Sequence, residues 1–275
     1  MDEVEWQYKG NNLECELKYI DDGQGKFYFR SEERNNPYLN IHLNNVDIEV
    51  ANSVLYGHPA PWQGEVASLL ITEQYDQARE SIVFEQNISR LIQFIERGGW
   101  IRFSLGGRDT SALRSYLIPT VRIHQPLREF VNCQNSLPLI SYSHAKDISL
   151  HFNSGQKNLT TEQLNTLTAL VSYLKADPKV SKILVDGHTD SSGSRTSNLA
   201  LSRLRADLVS QQLNRLGVSQ SKIEVRAHGS RYPTATNATS AGQAKNRRVT
   251  LRLIRSNEMV VPVSSKPNNI TKVQS

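Results

Sequence analysis

"GHTDSSGSRTSNLALSRLRAD", residues 187–207, sets a glycine, a histidine and an aspartate at the end of the apolar run "KILVDG" and then turns into an arginine-rich helical pattern. A short apolar strand handing over to a helix is one half of an α/β unit, and ligands of such sheets commonly bind beyond the carboxyl ends of the strands. The helix is expected from about Asn198 to Leu216, with Leu201, Leu208, Val209, Leu213 and Leu216 inward and Gly217 as its stop.

The residue types in this stretch suit a ligand that carries both charges. Asp190, at the strand end, accepts hydrogen bonds from an ammonium group. Arg205 follows Asn198 by close to two turns of 3.6 residues and so shares its face. A guanidinium holds a carboxylate by a two-pronged contact that lysine does not reproduce. Asn198, expected near the helix start, offers a donor and an acceptor beside unpaired first-turn N–H groups that favour an anion. The plainer alternative has Asp190 capping the following turn and Arg205 as a solvated helix charge paired with it.

Outward from this stretch, strands and helices alternate. "ISLHF" alternates Ile148, Leu150 and Phe152, and "LTTEQLNTLTALVSYL" opens with Thr160 and Gln163 spaced as a capping box. Leu164, Leu167, Leu170, Val171 and Leu174 form its stripe, and Asp177-Pro178 ends it. "KIEVRA" and "RVTLRLI" add two alternating strands. The expected order is βαβαββ, with helices packed on a mixed sheet. Arg247 and Arg248 precede the last strand, so alternation sends them to opposite faces and one of them lines a pocket. Arg203, Arg215 and Arg226 read as surface charge.

The first half is strand-rich. "LECELKYI", "GKFYFRS" and "YLNIHLNNVDIEV" alternate apolar positions such as Phe27/Phe29 and Ile41/Leu43, separated by turn-prone "DDGQG" and "EERNNP". A helix from about Glu85 to Arg97 carries Ile88, Leu91, Ile92 and Ile95 and stops at Gly98-Gly99; "WIRFSL" resumes the strands. A short helix after Pro126 carries Leu127, Phe130 and Val131 and places Cys133 at its end. The fold class is therefore α+β, with a β-rich domain over 1–140, the alternating domain over 141–256 and a polar, mobile tail over 257–275.

A chain of 275 residues with 38% hydrophobic and 21% charged residues has room for two buried cores. No apolar run approaches the roughly 20 residues of a membrane-spanning helix. The start, "MDEVEWQYKG", lacks the basic and apolar pattern of a signal peptide, so the chain is expected to be cytosolic or to have had its leader trimmed. The net charge of +5 favours acidic partners without choosing among nucleic acid, anionic lipid and cell-wall carboxylates. Two cysteines, Cys15 and Cys133, are too few and too scattered for a metal site. They fit either one disulfide in an oxidising compartment, tying the start of the first domain to its end, or two buried thiols.

"HTDSS" supplies the residue types of a hydrolase in His188, Asp190 and Ser191. A serine next to the aspartate gives no triad geometry, and no G-x-S-x-G elbow is present, so the protein is expected not to be an enzyme and to need no cofactor. The arginines at 203, 205, 247, 248 and 252 come without a nucleic-acid reading module or interleaved aromatics, so no nucleic-acid partner is expected.

"GHTDSSGS", "NLALSRLRADLVSQQL", "AHGSRYP" and "KNRRVTLRLI" together resemble the peptidoglycan-binding domain of OmpA-like proteins, whose signature reads N-x-x-L-S-x-x-R-A-x-x-V-x-x-x-L. Asn198, Leu201, Ser202, Arg205, Ala206, Val209 and Leu213 fill every defined position. His228 departs from it, many relatives having an aromatic there, with little expected consequence because Gly229 and Pro233 keep the turn. The resemblance implies that diaminopimelate of a Gram-negative stem peptide is the ligand. Asp190 and Arg205 would grip its amine and carboxylate, assisted by Thr189, Asn198 and Arg247. The first domain, with "LECEL", a Pro-Trp dipeptide in "APWQGE" and a late cysteine, resembles the MotY family of sodium-driven flagellar motor proteins. That resemblance implies a periplasmic protein of the flagellar basal body with paired cysteines. Its first domain would associate with MotX and the basal body in the T ring, and its second would fix the ring to the wall. The alternative is another wall-tethering periplasmic protein, from the outer membrane or a secretion system.

Overall fold

Apolar alternation at period two buries one side of each N-terminal strand, and two such sides face each other across one core. The computed structural model describes residues 5–44, 50–64, 68–74, 81–107 and 113–256. Two units are distinguished: the residues up to Ala145 with Asn165–Asp177, and Lys146–Leu164 with the residues from Pro178 onward. The expected tail over 257–275 and the part of "YLNIHLNNVDIEV" over 45–49 lie outside the described residues.

The first unit contains β1 (Trp6–Gly10), β2 (Cys15–Asp21), β3 (Gly25–Ser31), β4 (Tyr38–Leu43), β5 (Val50–His58), β6 (Leu69–Gln74), β7 (Ser81–Phe84), α1 (Ile88–Glu96), β8 (Trp100–Gly107), β9 (Leu113–Ile118), α2 (His124–Ser136) and α3 (Tyr142–Ala145). One antiparallel sheet runs β1-β2-β3-β4-β7 and the other β6-β5-β8-β9. Leu17, Phe27, Phe29 and Ile41 from one sheet meet Leu55, Phe103 and Leu105 from the other, with Phe27 and Phe103 centroids 6.0 Å apart. The apolar stripe of α1, Ile88, Leu91, Ile92 and Ile95, closes this core as the sequence predicts.

Helix α2 differs from expectation. It begins at His124, before Pro126, and runs for 13 residues, so Cys133 sits in its last turn, short of its end. Pro126 is its third residue, where the missing N–H has no intrahelical acceptor to lose. Cys133 is bonded to Cys15, with Cα atoms 6.1 Å apart across 118 residues of sequence. Closing a loop of that length removes roughly 4–5 kcal/mol of chain entropy from the unfolded state.

The second unit orders its strands β10-β13-β11-β12, from β10 (Asp147–His151), β11 (Val180–His188), β12 (Ile223–Gly229) and β13 (Arg248–Arg255). Only β11 and β12 are parallel, so the sheet is mixed. Helix α4 (Thr161–Ala176), of which only the first four residues belong to this unit, starts with the predicted capping box: the Gln163 N–H donates to Thr160 Oγ1 at 3.2 Å and the Thr160 N–H to Gln163 Oε1 at 2.8 Å. Along it Leu167, Leu170, Val171 and Tyr173 are buried, while Leu164 and Leu174 are only half-buried. A short helix, α6 (Ser240–Asn246), stands between the last two strands, which the expected order βαβαββ lacks. Its sequence "SAGQAKN" has no apolar stripe to betray it; the Thr239 hydroxyl, accepting the Gly242 N–H at 3.1 Å, caps its start.

Helix α5 (Arg195–Arg215) begins three residues earlier than expected, capped by Ser194, whose Oγ accepts the Ser197 N–H. Its buried face is Asn198, Ser202, Arg205, Ala206, Val209, Ser210 and Leu213; of the residues expected inward, Val209 and Leu213 are buried, while Leu201, Leu208 and Leu216 are half-buried. The cause is close approach of helix to strand. A Cβ on Gly187 would collide with the Ser202 carbonyl, so this stretch of the helix rests against bare backbone and leaves room only for small residues there.

Candidate functional site

Asp190 lies two residues beyond the end of β11, with Thr189 between. The Thr189 N–H donates to the Gly229 carbonyl at 2.9 Å, which fixes the chain as it leaves the sheet. Asp190 Oδ1 then accepts the Ser192 N–H at 3.0 Å and Oδ2 accepts Arg247 Nη1 at 2.9 Å. The carboxylate therefore both caps the turn and pairs with an arginine. Burial alone would raise its pKa, but the bonds from Arg247 and Ser192 outweigh it and hold the carboxyl below its ordinary value. Each carboxylate oxygen keeps a lone pair for a further donor.

Arg205 is 0% exposed, so it is not a solvated helix charge. Its guanidinium stacks over the Phe152 ring at 5.1 Å and its Nη2 donates to the Asn153 carbonyl at 3.2 Å. Nε and Nη1 are buried without any acceptor. Arg247 Nε donates to the adjacent Phe152 carbonyl at 3.1 Å, so the turn after β10 holds both arginines. Burial, then the Arg247 charge, lowers the pKa of Arg205, and Asp190 opposes them. Two guanidinium groups and one carboxylate leave one uncompensated positive charge. The buried Thr189 Oγ1 also lacks a partner.

Of the predicted site residues, Asp190 and Arg247 are in contact, Arg205 shares their field, and Thr189 lies beside them in the chain. Asn198 is placed otherwise than expected: it is the fourth residue of α5, its N–H is already spent on the Ser194 carbonyl, and it lines a cavity with His228 and Gly229. Arg248 points away from Asp190 and donates to the Tyr232 carbonyl at 3.1 Å, as strand alternation requires. The carbonyls of Phe152 and Asn153 had no sequence signal, because any residue supplies a carbonyl.

Arg226 is not merely surface charge. Its Nε and Nη2 donate to the two oxygens of Asp186 at 2.6 Å each, and His228 Nε2 reaches Asp186 Oδ1 at 2.7 Å. Against the effect of burial, these bonds lower the Asp186 pKa. The His228 ring also stacks on His188 at 4.9 Å, so the histidine that departs from the expected aromatic has a definite structural role, bonding Asp186 and packing on His188. Burial, followed by the charges of Arg248 and His228, lowers the His188 pKa to about 4.

Residues 151–247 match the OmpA family, and residues 1–138 match the MotY N-terminal domain. The chain belongs to the family of the MotY N-terminal domain. It is a MotY homologue with a C-terminal OmpA-like domain. The sodium-type flagellar protein MotY of Vibrio parahaemolyticus is 25% identical over 254 residues, which span 90% of this chain and 87% of that protein. A peptidoglycan-associated lipoprotein of Legionella pneumophila is 37% identical over 98 residues, 36% of this chain and 55% of that protein. A crystal structure of the peptidoglycan-associated lipoprotein from Burkholderia pseudomallei aligns at 32% identity with a TM-score of 0.37, covering 38% of this chain and 89% of that one. The α+β class is as expected, a β-rich first domain and an OmpA-like second one. Among the described residues no helix is long and apolar enough to cross a membrane.

Proposed function

We propose that this protein is a non-enzymatic, periplasmic component of the flagellar motor, part of its T ring, that anchors the ring to peptidoglycan. In this reading residues 141–256 hold the wall, residues 1–140 associate with MotX and the basal body, and residues 257–275 form a polar tail. The observation that carries it is the fully buried Arg205, two of whose nitrogens have no acceptor, set beside the Asp190–Arg247 pair. A buried guanidinium with unmet donors costs stability unless something fills them, and a carboxylate does so best. A diaminopimelate end supplies that carboxylate for Arg205 and an ammonium for the spare lone pairs of Asp190, with Thr189 and Arg247 at the rim of the contact and Asn198 beside the helix start. The full-length likeness to a flagellar MotY and the partial likeness to a peptidoglycan-associated lipoprotein support the two halves of the reading. Many weak wall contacts around a ring add through multivalency, which is what a part resisting torque requires.

The test is co-sedimentation with purified sacculi. Asp190→Ala is expected to lower retained protein by about tenfold or more, the loss of one charge-assisted contact; because the change also strands Arg247 and so costs stability, retention is compared on protein shown to be folded. Undiminished retention would remove Asp190 from the site. Release of soluble muropeptides by the wild-type chain would overturn the non-enzymatic reading.

A further inference from the structure

The first turn of α5 has a second side. A cavity of about 310 Å³ opens there, lined by Gly193, Arg195, Asn198, Leu199, His228, Gly229, Ser230 and Arg231. It does not contain Asp190, Arg205 or Arg247, and three features mark it as a built site. Asn198 is only 5% exposed and lines it, yet its carboxamide forms no hydrogen bond among the described residues. Its carboxamide therefore keeps a donor and an acceptor for a ligand in the cavity. Arg195 and Arg231 line the same space with no ion pair among the described residues, although most other arginines near the sheet are paired or bonded to carbonyls. Gly193 and Gly229 supply bare backbone, both at positive φ, and a Cβ on Gly229 would come within 3.2 Å of the Leu199 nitrogen.

We infer that this cavity binds a second carboxylate of the same wall peptide, held by Arg195 and Arg231, with the adjoining amide bonded to the Asn198 carboxamide. The inference rests on the reading of Asp190, Arg205 and Arg247 as the diaminopimelate site. The two places are joined by backbone: Gly229 lines the cavity while its carbonyl accepts the N–H of Thr189, and Ser192, bonded to Asp190, adjoins Gly193. A peptide whose diaminopimelate end lies at Asp190 therefore has its neighbouring residue within reach of the two free guanidinium groups. An acid next to an amide matches this lining: two cations for the carboxylate, a donor and acceptor for the amide, and Leu199 for the methylene stem between them.

The experiment compares free diaminopimelate with the disaccharide tripeptide released from sacculi, and with the same tripeptide amidated at its glutamate carboxylate. Binding is measured by calorimetry on the full chain and on the Arg195→Gln/Arg231→Gln double variant. Both arginines are exposed, so the variant is expected to fold. The double variant should bind the tripeptide about tenfold more weakly, bind free diaminopimelate as the wild type does, and no longer discriminate the amidated tripeptide. Lysine at both positions should restore part of the loss. Equal tripeptide affinity in wild type and variant, with diaminopimelate binding intact, would overturn the cavity assignment and leave the Asp190 site standing. Equal weakening toward inorganic phosphate and tripeptide would also overturn it, by showing an unspecific anion patch. Failure of free diaminopimelate to bind either protein would sink the underlying reading and this inference together.

Discussion

Asp186, within β11, and Asp190, just beyond its end, are close in sequence, and their surroundings could hardly differ more. Asp186 receives both prongs of Arg226 and a bond from His228, so its two oxygens are occupied by charged or polar partners. Asp190 has one arginine and the N–H and side chain of Ser192, and beside it Arg205 is buried with donors unfilled. Both carboxyls are held below their ordinary pKa, so that shift does not separate them. What separates them is completeness. A cluster whose polar groups are matched within the chain is part of the fold, whereas one left incomplete has capacity reserved for something outside it.

The comparison predicts opposite losses. Asp186→Ala should strand Arg226 and His228 and cost the second unit roughly 3 kcal/mol, the low end for a buried pair because Arg226 is part-exposed and screened by solvent, while folded protein keeps its affinity for sacculi. Denaturant titration beside a co-sedimentation assay checks both halves. Lost wall binding at unchanged stability would reverse the assignment of the two aspartates.

The next effect is set by pH. His188 titrates near 6.5 when unfolded and at about 4 in the fold, pushed there by burial and by the charges of Arg248 and His228, with Asp186 opposing and Arg226 adding to them. Between those values the unfolded chain binds the extra proton, so stability falls as pH falls across that window, by up to about 3 kcal/mol. The two depressed aspartates act separately: their contribution is complete above the ordinary carboxylate range and is lost only below it, as pH drops through their folded values. His188→Gln should flatten the slope between pH 6.5 and about 4 and leave the more acidic loss in place. An unchanged slope would mean that the ring is charged or solvated in the fold.

Much of the second domain was legible because its signals are local. The Thr160–Gln163 box and the seven signature residues lie in one stretch each, and the structure forms the box as read. Helix α6 was not legible, since "SAGQAKN" has no apolar stripe and is fixed by a cap and by the close approach of Gly242 to the Thr236 carbonyl. Nor was the polar inner face of α5, which follows from Gly187 drawing the helix in rather than from any period in the helix itself. In the site, residue identity pointed to Asp190, Arg205 and Arg247. It was silent about the Phe152 and Asn153 carbonyls that align the two arginines, and it placed Asn198 at the wrong end of its own turn. In the first domain β1, β5, β6, β7 and β9 escaped notice; β7 pairs with β4 and β5 with β8, partners distant in the chain that no local pattern reveals.

The smallest expected change in stability is the most discriminating. Arg205→Met replaces a buried, under-bonded guanidinium by an apolar chain of similar length against the Phe152 ring. One bond is lost, from Nη2 to the Asn153 carbonyl, and two unmet donors disappear with it. Removing those donors and the desolvated charge offsets the lost bond, and a thioether packs well against an aromatic face, so the second unit should gain about 1 kcal/mol or stay level. If Arg205 holds the wall carboxylate as proposed, sacculus binding should nevertheless collapse, because among the described residues no other arginine is fully buried. Thermal unfolding and co-sedimentation of the one variant decide the matter. A destabilisation of several kcal/mol would make Arg205 a structural ion like Arg226, and the contrast between the two aspartates would then reflect two structural clusters of different strength.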